Sequence, residues 1–260
     1  MLNPKVQFAI IQQLVELIRR GHKVIVTHGG GPYIKRDLEE AGIKSEFIEG
    51  QRVTTPDAMR LVERTLKGEV NGNVVSMFLA QGLKAVGISG KDGKMILGKR
   101  RIHTSSENGK TTKLSLGQVA DVERVDTRLI RMLIEQDYVP VVACIATDDE
   151  GHTYNVNADM LAGHLAGALK ADQFIVMTDV DGLLENVEDP SSVIRRLSLR
   201  ELSDLLATGK ISGGMIPKLE ACQIALQRGC AMARIINGTN AEQLSQLLDK
   251  YPIGTTVHKN

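Results

Sequence analysis

The chain contains 260 residues, of which 42% are hydrophobic, and its formal net charge is +1. This length and apolar content are sufficient for one large α/β domain or two smaller lobes, and the balanced charge argues against a nucleic-acid or membrane surface. Cys144, Cys222 and Cys230 have neither the number nor the spacing of a disulfide framework or a zinc site. Since no apolar segment is long enough to span a membrane, we expect a cytoplasmic protein that binds small molecules.

The hydrophobic pattern predicts helices and strands that alternate along the chain. A core-facing helix covers residues 3–20, and a long helix begins at residue 56 and continues towards residue 79, with Gly68 and Gly72 as candidate bends. Residues 94–125 predict a β-hairpin with a mobile polar tip at 104–112. Alternating strands and helices predict an α/β fold, a three-layer αβα sandwich around one mainly parallel, continuous sheet. The other predicted helices are 33–41, 127–136, 159–169, 199–208, 216–228 and 242–249, and the predicted strands are 24–27, 84–88, 139–145, 174–178, 234–236 and 254–256.

Three consecutive glycines, Gly29 to Gly31, follow the first predicted strand. Residues without a Cβ let the backbone approach a ligand closely, and Pro32 suits the first turn of a helix. The N–H groups of such a turn, with the positive end of the helix dipole, form an anion site. Close packing of helix on strand also favours glycine, so the glycine run alone does not decide between the two roles.

Small or polar turns follow several predicted strands, after Thr27, Ile88 and Thr178. In a parallel α/β sheet these turns lie at one edge, where ligands bind. The shared edge favours a ligand-binding role for the glycine turn.

Three further sets of polar residues are candidates for ligand binding. Asn155, Asn157 and Asp159 alternate just before a helix, where one residue is sufficient as a cap and another is left for a ligand. Lys218 lies in the first turn of a helix that follows two glycines, where the dipole disfavours a cation unless an anion binds. Arg52 could bind a carboxylate with two hydrogen bonds. Ordinary surface positions are the alternative for Lys218 and Arg52.

Six segments, HGGGP (28–32), GQRVT (50–54), VGISGKDG (86–93), NVNAD (155–159), TDVDG (178–182) and GGMIPK (213–218), resemble the amino acid kinase family and, within it, the acetylglutamate kinases. The likeness covers essentially the whole chain in the family's order. It implies transfer of the γ-phosphoryl group of ATP to the side-chain carboxylate of N-acetyl-L-glutamate, the second step of arginine biosynthesis.

The resemblance also implies roles for individual residues. The backbone of Gly30 and Gly31 would contact the substrate and the transferring phosphoryl group, Arg52 would bind the substrate's α-carboxylate, and Asn155 its acetamido group. A glutamate-like carboxylate, with a pKa of about 4.3, is already ionised at pH 7, so such a reaction needs positioning and charge neutralisation rather than a general base.

By the same resemblance, Lys218 and Asp159 are the catalytic pair. Lys218 would stabilise charge on the transferring phosphoryl group, and Asp159 would orient it. Residues 1–156 would form the amino-acid lobe and residues 157–260 the nucleotide lobe of a homodimer, with Mg²⁺ held mainly by ATP and no protein-held metal. The residues implied to surround the nucleotide are Asp179, Val180, Asp181, Gly182, Leu183, Leu184, Lys210, Ile211 and Ser212.

The family's first strand, which ends in Lys-x-Gly-Gly, has no counterpart before the helix at Asn3 and Pro4. We therefore expect the chain as it stands to fold poorly or to bind nucleotide without efficient transfer, and a version extended upstream by a Lys-x-Gly-Gly strand to be stable and active. Two alternatives stay open. One is a catalytically impaired protein that binds nucleotide or amino acid, and the other is a related kinase for a carrier-bound aminoadipate or glutamate. A dinucleotide oxidoreductase is disfavoured, because Ile34 stands where the G-x-G-x-x-G motif needs a small residue.

Overall fold

The computed structural model describes residues 4–48, 50–107, 110–209, 211, 213–248 and 253–259. Its helices are α1 (Pro4–Arg19), α2 (Gly31–Glu40), α3 (Pro56–Glu63), α4 (Asn71–Leu79), α5 (Arg128–Glu135), α6 (Ala158–Leu169), α7 (Leu199–Ala207), α8 (Met215–Gln227) and α9 (Glu242–Leu248), with a π-helix at Arg64–Val70 and a 3-10 helix at Asp92–Lys94. Its strands are β1 (Val26–His28), β2 (Phe47–Ile48), β3 (Gln51–Arg52), β4 (Ala85–Ser89), β5 (Ile96–Glu107), β6 (Lys110–Val125), β7 (Val139–Ala143), β8 (Ile145–Thr147), β9 (Thr153–Asn155), β10 (Gln173–Thr178), β11 (Arg196–Ser198), β12 (Met232–Asn237) and β13 (Thr255–His258). The predicted α/β class is confirmed.

The chain divides into two compact units. Unit A comprises Ile25–Ser76 and Lys84–Leu161, and unit B comprises Met1–Val24, Met77–Leu83 and Ala162–Asn260. Helix α1 therefore belongs to the same unit as the C-terminal part of the chain, where its buried side chains pack near α9. The predicted assignment of the amino acid to residues 1–156 and of the nucleotide to residues 157–260 stays a prediction.

Unit A contains a three-stranded parallel sheet in the order β1-β7-β4. The central strand β7 is buried along its whole length, as expected for a strand covered on both faces. Because β1 and β4 both run parallel to β7, His28 and Ser89 end their strands beside the same residue, Ala143. The prediction of a shared edge is therefore confirmed for the turns after β1 and β4. The third turn of that prediction follows Thr178 in β10, a strand of unit B, and its place at the same edge stays a prediction.

A closed barrel of β5, β6, β9 and β8 completes unit A. The pairing of β5 with β6 continues to Glu107 and Lys110, so strands occupy most of the stretch that the sequence predicts as a polar tip. Thr104, Ser105 and their cross-strand partners Lys113 and Thr112 are paired there, and threonine suits a strand when a partner is available. Residues 108 and 109 of the predicted tip lie outside the described residues.

The predicted long third helix is continuous but not uniform. Helix α3 leads directly into the π-helix, which leads directly into α4, so no break in the helical assignment falls at Gly68 or Gly72. A π-helix places side chains differently from an α-helix, and such segments occur often at functional sites. Here it packs Leu66 and Val70 beneath the glycine turn, and the Thr65 hydroxyl donates to the buried Asp37 of α2.

Unit B contains a four-stranded sheet in the order β10-β12-β13-β11. Strands β10 and β12 are parallel, β12 and β13 are antiparallel, and β11 and β13 are parallel. The described strands thus form one α/β sheet in each unit, where the sequence predicts a single continuous sheet. Strand β11, with three residues of which one is buried, was also missed. Pairing partners depend on long-range contacts that hydrophobic periodicity does not contain.

The core of unit B depends on small residues where α6 and α8 cross. A Cβ on Gly163 would lie 2.5 Å from the Ala221 carbonyl oxygen, so only glycine allows this approach. Cys222 and Cys230 are buried beside this crossing, and Cys144 is buried in unit A; none of these three cysteines is in a disulfide. Within the described ranges, none of the helices has both the length and the apolar character needed to span a membrane.

Candidate functional site

The glycine turn links the end of β1 to the start of α2 in unit A. Gly30 is the N-cap residue of α2, and no side chain caps this helix. The first amides of α2 therefore depend on backbone, water or a ligand for partners, and they lie at the positive end of the helix dipole. This geometry suits a carboxylate or phosphoryl oxygen.

The three glycines have different reasons to lack a side chain. A Cβ on Gly30 would lie 2.7 Å from Leu66 Cδ2 and 3.2 Å from Val70 Cγ2, so packing on the π-helix requires glycine there. A Cβ on Gly29 would lie 3.2 Å from the Ala158 Cβ at the start of α6. A Cβ on Gly31 would meet nothing within 4 Å. Gly29 and Gly30 are therefore packed against other residues, whereas Gly31 faces free space.

Arg52, in the short β2–β3 hairpin, is buried to an extent that is rare for arginine. Only 8% of its surface is exposed, and its guanidinium lies 4.6 Å from the centre of the Phe47 ring. Its Nη2 donates to the Gly31 carbonyl at 3.4 Å, while its buried Nη1 has no hydrogen-bond partner. Burial lowers the pKa of this group, but an arginine stays charged. A buried cation with an unused donor is favourable only when an anion binds it.

Asn155 and Arg52 are linked through Thr54, which is completely buried. The Asn155 side-chain amide donates to Thr54 Oγ1 at 3.4 Å, and Thr54 Oγ1 donates to the Arg52 carbonyl at 3.0 Å. The Thr54 backbone is held by hydrogen bonds to Leu116 and Gln118 of β6. The structure therefore brings the predicted substrate residues Gly31, Arg52 and Asn155 into one region of unit A.

The alternating polar residues before α6 have separated roles, as the sequence predicts. Asn157 is the cap, because its Oδ1 accepts a hydrogen bond from the Met160 amide at 3.1 Å. Asp159 lies in the first turn of α6, next to Ala158, which packs near Gly29. Burial raises the pKa of the Cys144 thiol to about 12, and the negative charge of Asp159 adds to this rise. Cys144 is therefore an unreactive core residue.

The loop after β10 is fixed in unit B by polar contacts. Asp181 Oδ1 accepts hydrogen bonds from Asn237 Nδ2 at 2.9 Å and Gln243 Nε2 at 3.0 Å. Gly182 has φ of +136°, and its approach to Thr255 leaves no room for a side chain. The Leu183 amide donates to Thr255 Oγ1 at 2.8 Å.

The residues of this loop differ in exposure. Asp179 and Asp181 are exposed and Val180 and Leu184 half-buried, whereas the Leu183 side chain belongs to the core. Because β10 and β12 are parallel, the loop lies at the same sheet edge as Gly238. Of the other predicted nucleotide residues, Ile211 packs against the core, and Lys210 and Ser212 lie outside the described residues.

Helix α8 begins with a second open glycine turn. Gly213 has φ of +62°, Gly214 is the N-cap residue without a side-chain cap, and a Cβ on either would meet nothing within 4 Å. The first turn of α8 contains no acidic residue. Lys218 is half-buried near the start of this helix. The arrangement suits an anion such as a phosphate group.

Among the described residues, one group of three potential metal ligands lies close together, Asp148, Glu150 and His152 in the β8–β9 turn. The Asp148 carboxylate accepts hydrogen bonds from the Glu150 and His152 amides, the His152 ring and the Tyr154 hydroxyl. These contacts, which outweigh the effect of burial, lower the pKa of Asp148 to about 2. The group is fully explained as a stabilised turn.

A family model described as the amino acid kinase family matches residues 5–237. The chain belongs to the amino acid kinase family. An acetylglutamate kinase from Methanococcus maripaludis is 41% identical over 260 residues, which are 100% of this chain and 88% of that protein. An acetylglutamate kinase from Archaeoglobus fulgidus is 42% identical over 258 residues, covering 99% of this chain and 89% of that protein.

Solved structures share the amino acid kinase fold. The protein smu.665 from Streptococcus mutans superposes with a TM-score of 0.77 at 26% identity, covering 100% of this chain and 94% of that one. A carbamate kinase from Giardia superposes with a TM-score of 0.69 at 16% identity, covering 98% and 90% of the two chains, which is a likeness of fold.

Three polar residues near the site of this amino acid kinase had no role predicted from the sequence. His28 and Asn71 form a hydrogen bond beside the glycine turn, and Thr54 joins Arg52 to Asn155. Asn71 is 2% exposed and Thr54 is fully buried. No pattern in the sequence indicated these roles, because the burial of Asn71 and Thr54 and their partners depend on the fold.

Proposed function

We propose that this chain is an acetylglutamate kinase, which transfers the γ-phosphoryl group of ATP to the side-chain carboxylate of N-acetyl-L-glutamate. The two archaeal relatives named acetylglutamate kinase, at about 40% identity over nearly the whole chain, support this activity. The structural observation that carries it is the buried Nη1 of Arg52 without a partner, beside the open glycine turn. That donor fits the α-carboxylate of an amino acid.

The proposed mechanism rests on positioning and charge. The substrate's side-chain carboxylate, with a pKa of about 4.3, attacks the γ-phosphorus of ATP directly and needs no base. The bond from the γ-phosphorus to the β–γ bridging oxygen breaks, and ADP leaves with that oxygen. Arg52 holds the α-carboxylate and Asn155 the acetamido group, both on the substrate's α-carbon, and the Gly30 and Gly31 amides stabilise oxygens on the transferring group. Lys218 neutralises charge that develops during transfer, and Asp159 has an orienting role.

The nucleotide is proposed to bind the loop from Asp179 to Leu184, with Lys210, Ile211 and Ser212 nearby. The open Gly213–Gly214 turn supports a phosphate at the start of α8. Mg²⁺, held mainly by ATP oxygens, would supply neutralisation of phosphate charge. We further propose that the enzyme is a cytoplasmic homodimer, and three buried cysteines outside disulfides suit a reducing compartment.

Trapping of the product as a hydroxamate tests this function. An acyl phosphate reacts with hydroxylamine, so the purified chain with ATP, Mg²⁺ and N-acetyl-L-glutamate should form a hydroxamate and ADP in equal amounts. L-glutamate, which has an ammonium group in place of the acetamido group, is the matched control and should react far more slowly. ADP release without hydroxamate, or equal rates with both amino acids, would contradict the proposal and favour a binding protein or a kinase of different specificity.

A further inference from the structure

One hydrogen-bonded pair beside the glycine turn is not explained by the roles proposed so far. Asn71 begins α4 directly after the π-helix, and its Nδ2 lies 2.9 Å from His28 Nε2 and 2.9 Å from the Val141 carbonyl oxygen. The Oδ1 atom faces Gly87, where a Cβ would overlap it. This one amide therefore contacts all three strands of the parallel sheet, β1, β7 and β4.

These contacts determine which ring nitrogen of His28 holds the proton. A side-chain amide nitrogen donates and does not accept, and Val141 offers only an acceptor, so Nδ2 must face both Val141 and His28. His28 Nε2 must then accept. In a neutral imidazole the proton is on Nδ1, which lies 3.0 Å from the Gly29 carbonyl oxygen and donates to it. Burial lowers the pKa of His28, which agrees with the neutral ring.

The bond from His28 fixes the direction of the next amide. In a trans peptide the carbonyl oxygen and the N–H of the following residue point in opposite directions. Since the Gly29 oxygen is held towards the His28 ring, the Gly30 N–H points away from it. From this geometry we propose that Asn71 and His28 are positioning residues that aim the Gly30 amide at the transferring phosphoryl group. This inference rests on the proposed function.

Two substitutions of His28 separate positioning from bulk structure. Asparagine carries its amide nitrogen on Cγ, as histidine carries Nδ1, so His28→Asn keeps a donor for the Gly29 oxygen. Glutamine carries its amide nitrogen one carbon further out, so His28→Gln loses that donor at a similar size. We expect His28→Gln to reduce kcat roughly 10- to 100-fold with KM values for both substrates changed less than about threefold, because a donor is misaligned while ground-state contacts persist. His28→Asn should recover most of kcat.

The tautomer provides a second measurement that does not depend on turnover. Nitrogen-15 spectra, with His28 assigned by comparison with His28→Asn, should show the Nδ1–H form in the wild type. Asn71→Ala, which removes the donor to Nε2, should shift His28 towards the Nε2–H form. Thermal melts of each variant report whether it folds.

The outcomes are distinct. Equal kcat in wild type, His28→Gln and His28→Asn, or an Nε2–H tautomer in the wild type, would overturn the positioning role while leaving the kinase function intact. A folded wild type that forms no hydroxamate would instead overturn the proposed function, and the positioning role with it.

Discussion

Arg52 and Lys218 are both proposed to meet anions, but at different stages of the reaction. The α-carboxylate is bound alike before and during transfer, so Arg52→Ala should raise KM for acetylglutamate about 10- to 100-fold, the value of a charge-assisted hydrogen bond, with a smaller effect on kcat. Lys218→Ala should lower kcat roughly 10²–10³-fold, because it removes an interaction with charge that develops in the transition state. Steady-state hydroxamate formation measures both.

A matched control for this pair is Lys35→Ala. Lys35 forms an exposed ion pair with Glu39 on α2, so its loss should leave both constants within about twofold of the wild type. If Lys218→Ala keeps the wild-type kcat, Lys218 has no catalytic role.

The buried His164 should make the folded protein less stable in mild acid. It is 7% exposed on α6, its Nδ1 has no hydrogen-bond partner, and burial, followed by the charge of Arg228, lowers its pKa from 6.5 to about 4. The unfolded chain binds the proton more tightly, so this contribution is fully present above pH 6.5 and is lost as the pH falls towards 4. The wild type should lose about 2 kcal/mol of unfolding free energy between pH 7 and pH 5 through His164.

Urea unfolding at pH 7 and pH 5 tests this loss. His164→Leu should reduce the pH dependence in this window, and the half-buried His28, whose pKa burial also lowers, contributes to the part that persists. Substitution of the exposed His22 by leucine should leave the full dependence. Parallel pH dependence in wild type and His164→Leu would show that His164 is not the group responsible.

At the scale of elements, substitutions of the adjacent Gly30 and Gly31 should have different effects on stability. Gly30→Ala places a methyl group against Leu66 and Val70 in the core, and such overpacking should destabilise the protein by about 1–3 kcal/mol. Gly31→Ala meets no protein atom within 4 Å, so it should fold normally. If a ligand occupies the space beside Gly31, this substitution should instead raise KM for acetylglutamate.

Denaturant unfolding together with steady-state kinetics separates the two cases. A stable Gly30→Ala protein would show that Leu66 and Val70 move away easily. A fully active Gly31→Ala protein would show that no ligand approaches this position.

At the scale of the whole molecule, ligand binding tests the predicted division of the two substrates. A ligand at about 100 times its Kd adds about 2.7 kcal/mol to the stability of the folded state, which raises Tm by about 5–10 °C in a chain of this size. Acetylglutamate and a non-hydrolysable ATP analogue should each produce such a shift. Arg52→Ala should lose the shift with acetylglutamate and keep the shift with the nucleotide.

The matched variant for the nucleotide is Gly214→Val, which fills the open space at the start of α8. It should lose the nucleotide shift and keep the acetylglutamate shift. Loss of both shifts in either variant would contradict independent sites in units A and B.

The sequence by itself determined the order of helices and strands, the α/β class and the family. Alternating apolar runs and glycine-rich turns mark these elements locally, and six ordered motifs are enough to indicate the amino acid kinases. The shared edge of β1 and β4 was also predictable, because parallel strands joined by helices end on one side. That one of Asn155, Asn157 and Asp159 caps α6 followed from local chemistry, and the structure identifies Asn157 as the cap.

Only the tertiary structure decided the pairing of strands and the role of each polar group at the site. Strand β13 lies between β12 and β11, which are distant in sequence, and short β11 has too little pattern of its own to be recognised. Gly30 and Gly31 are adjacent glycines in the sequence, yet one faces Leu66 and the other faces open space. Asn71 meets His28 across 43 positions of the chain. Burial and hydrogen bonding depend on which residues the fold brings together, and local periodicity contains no record of those partners.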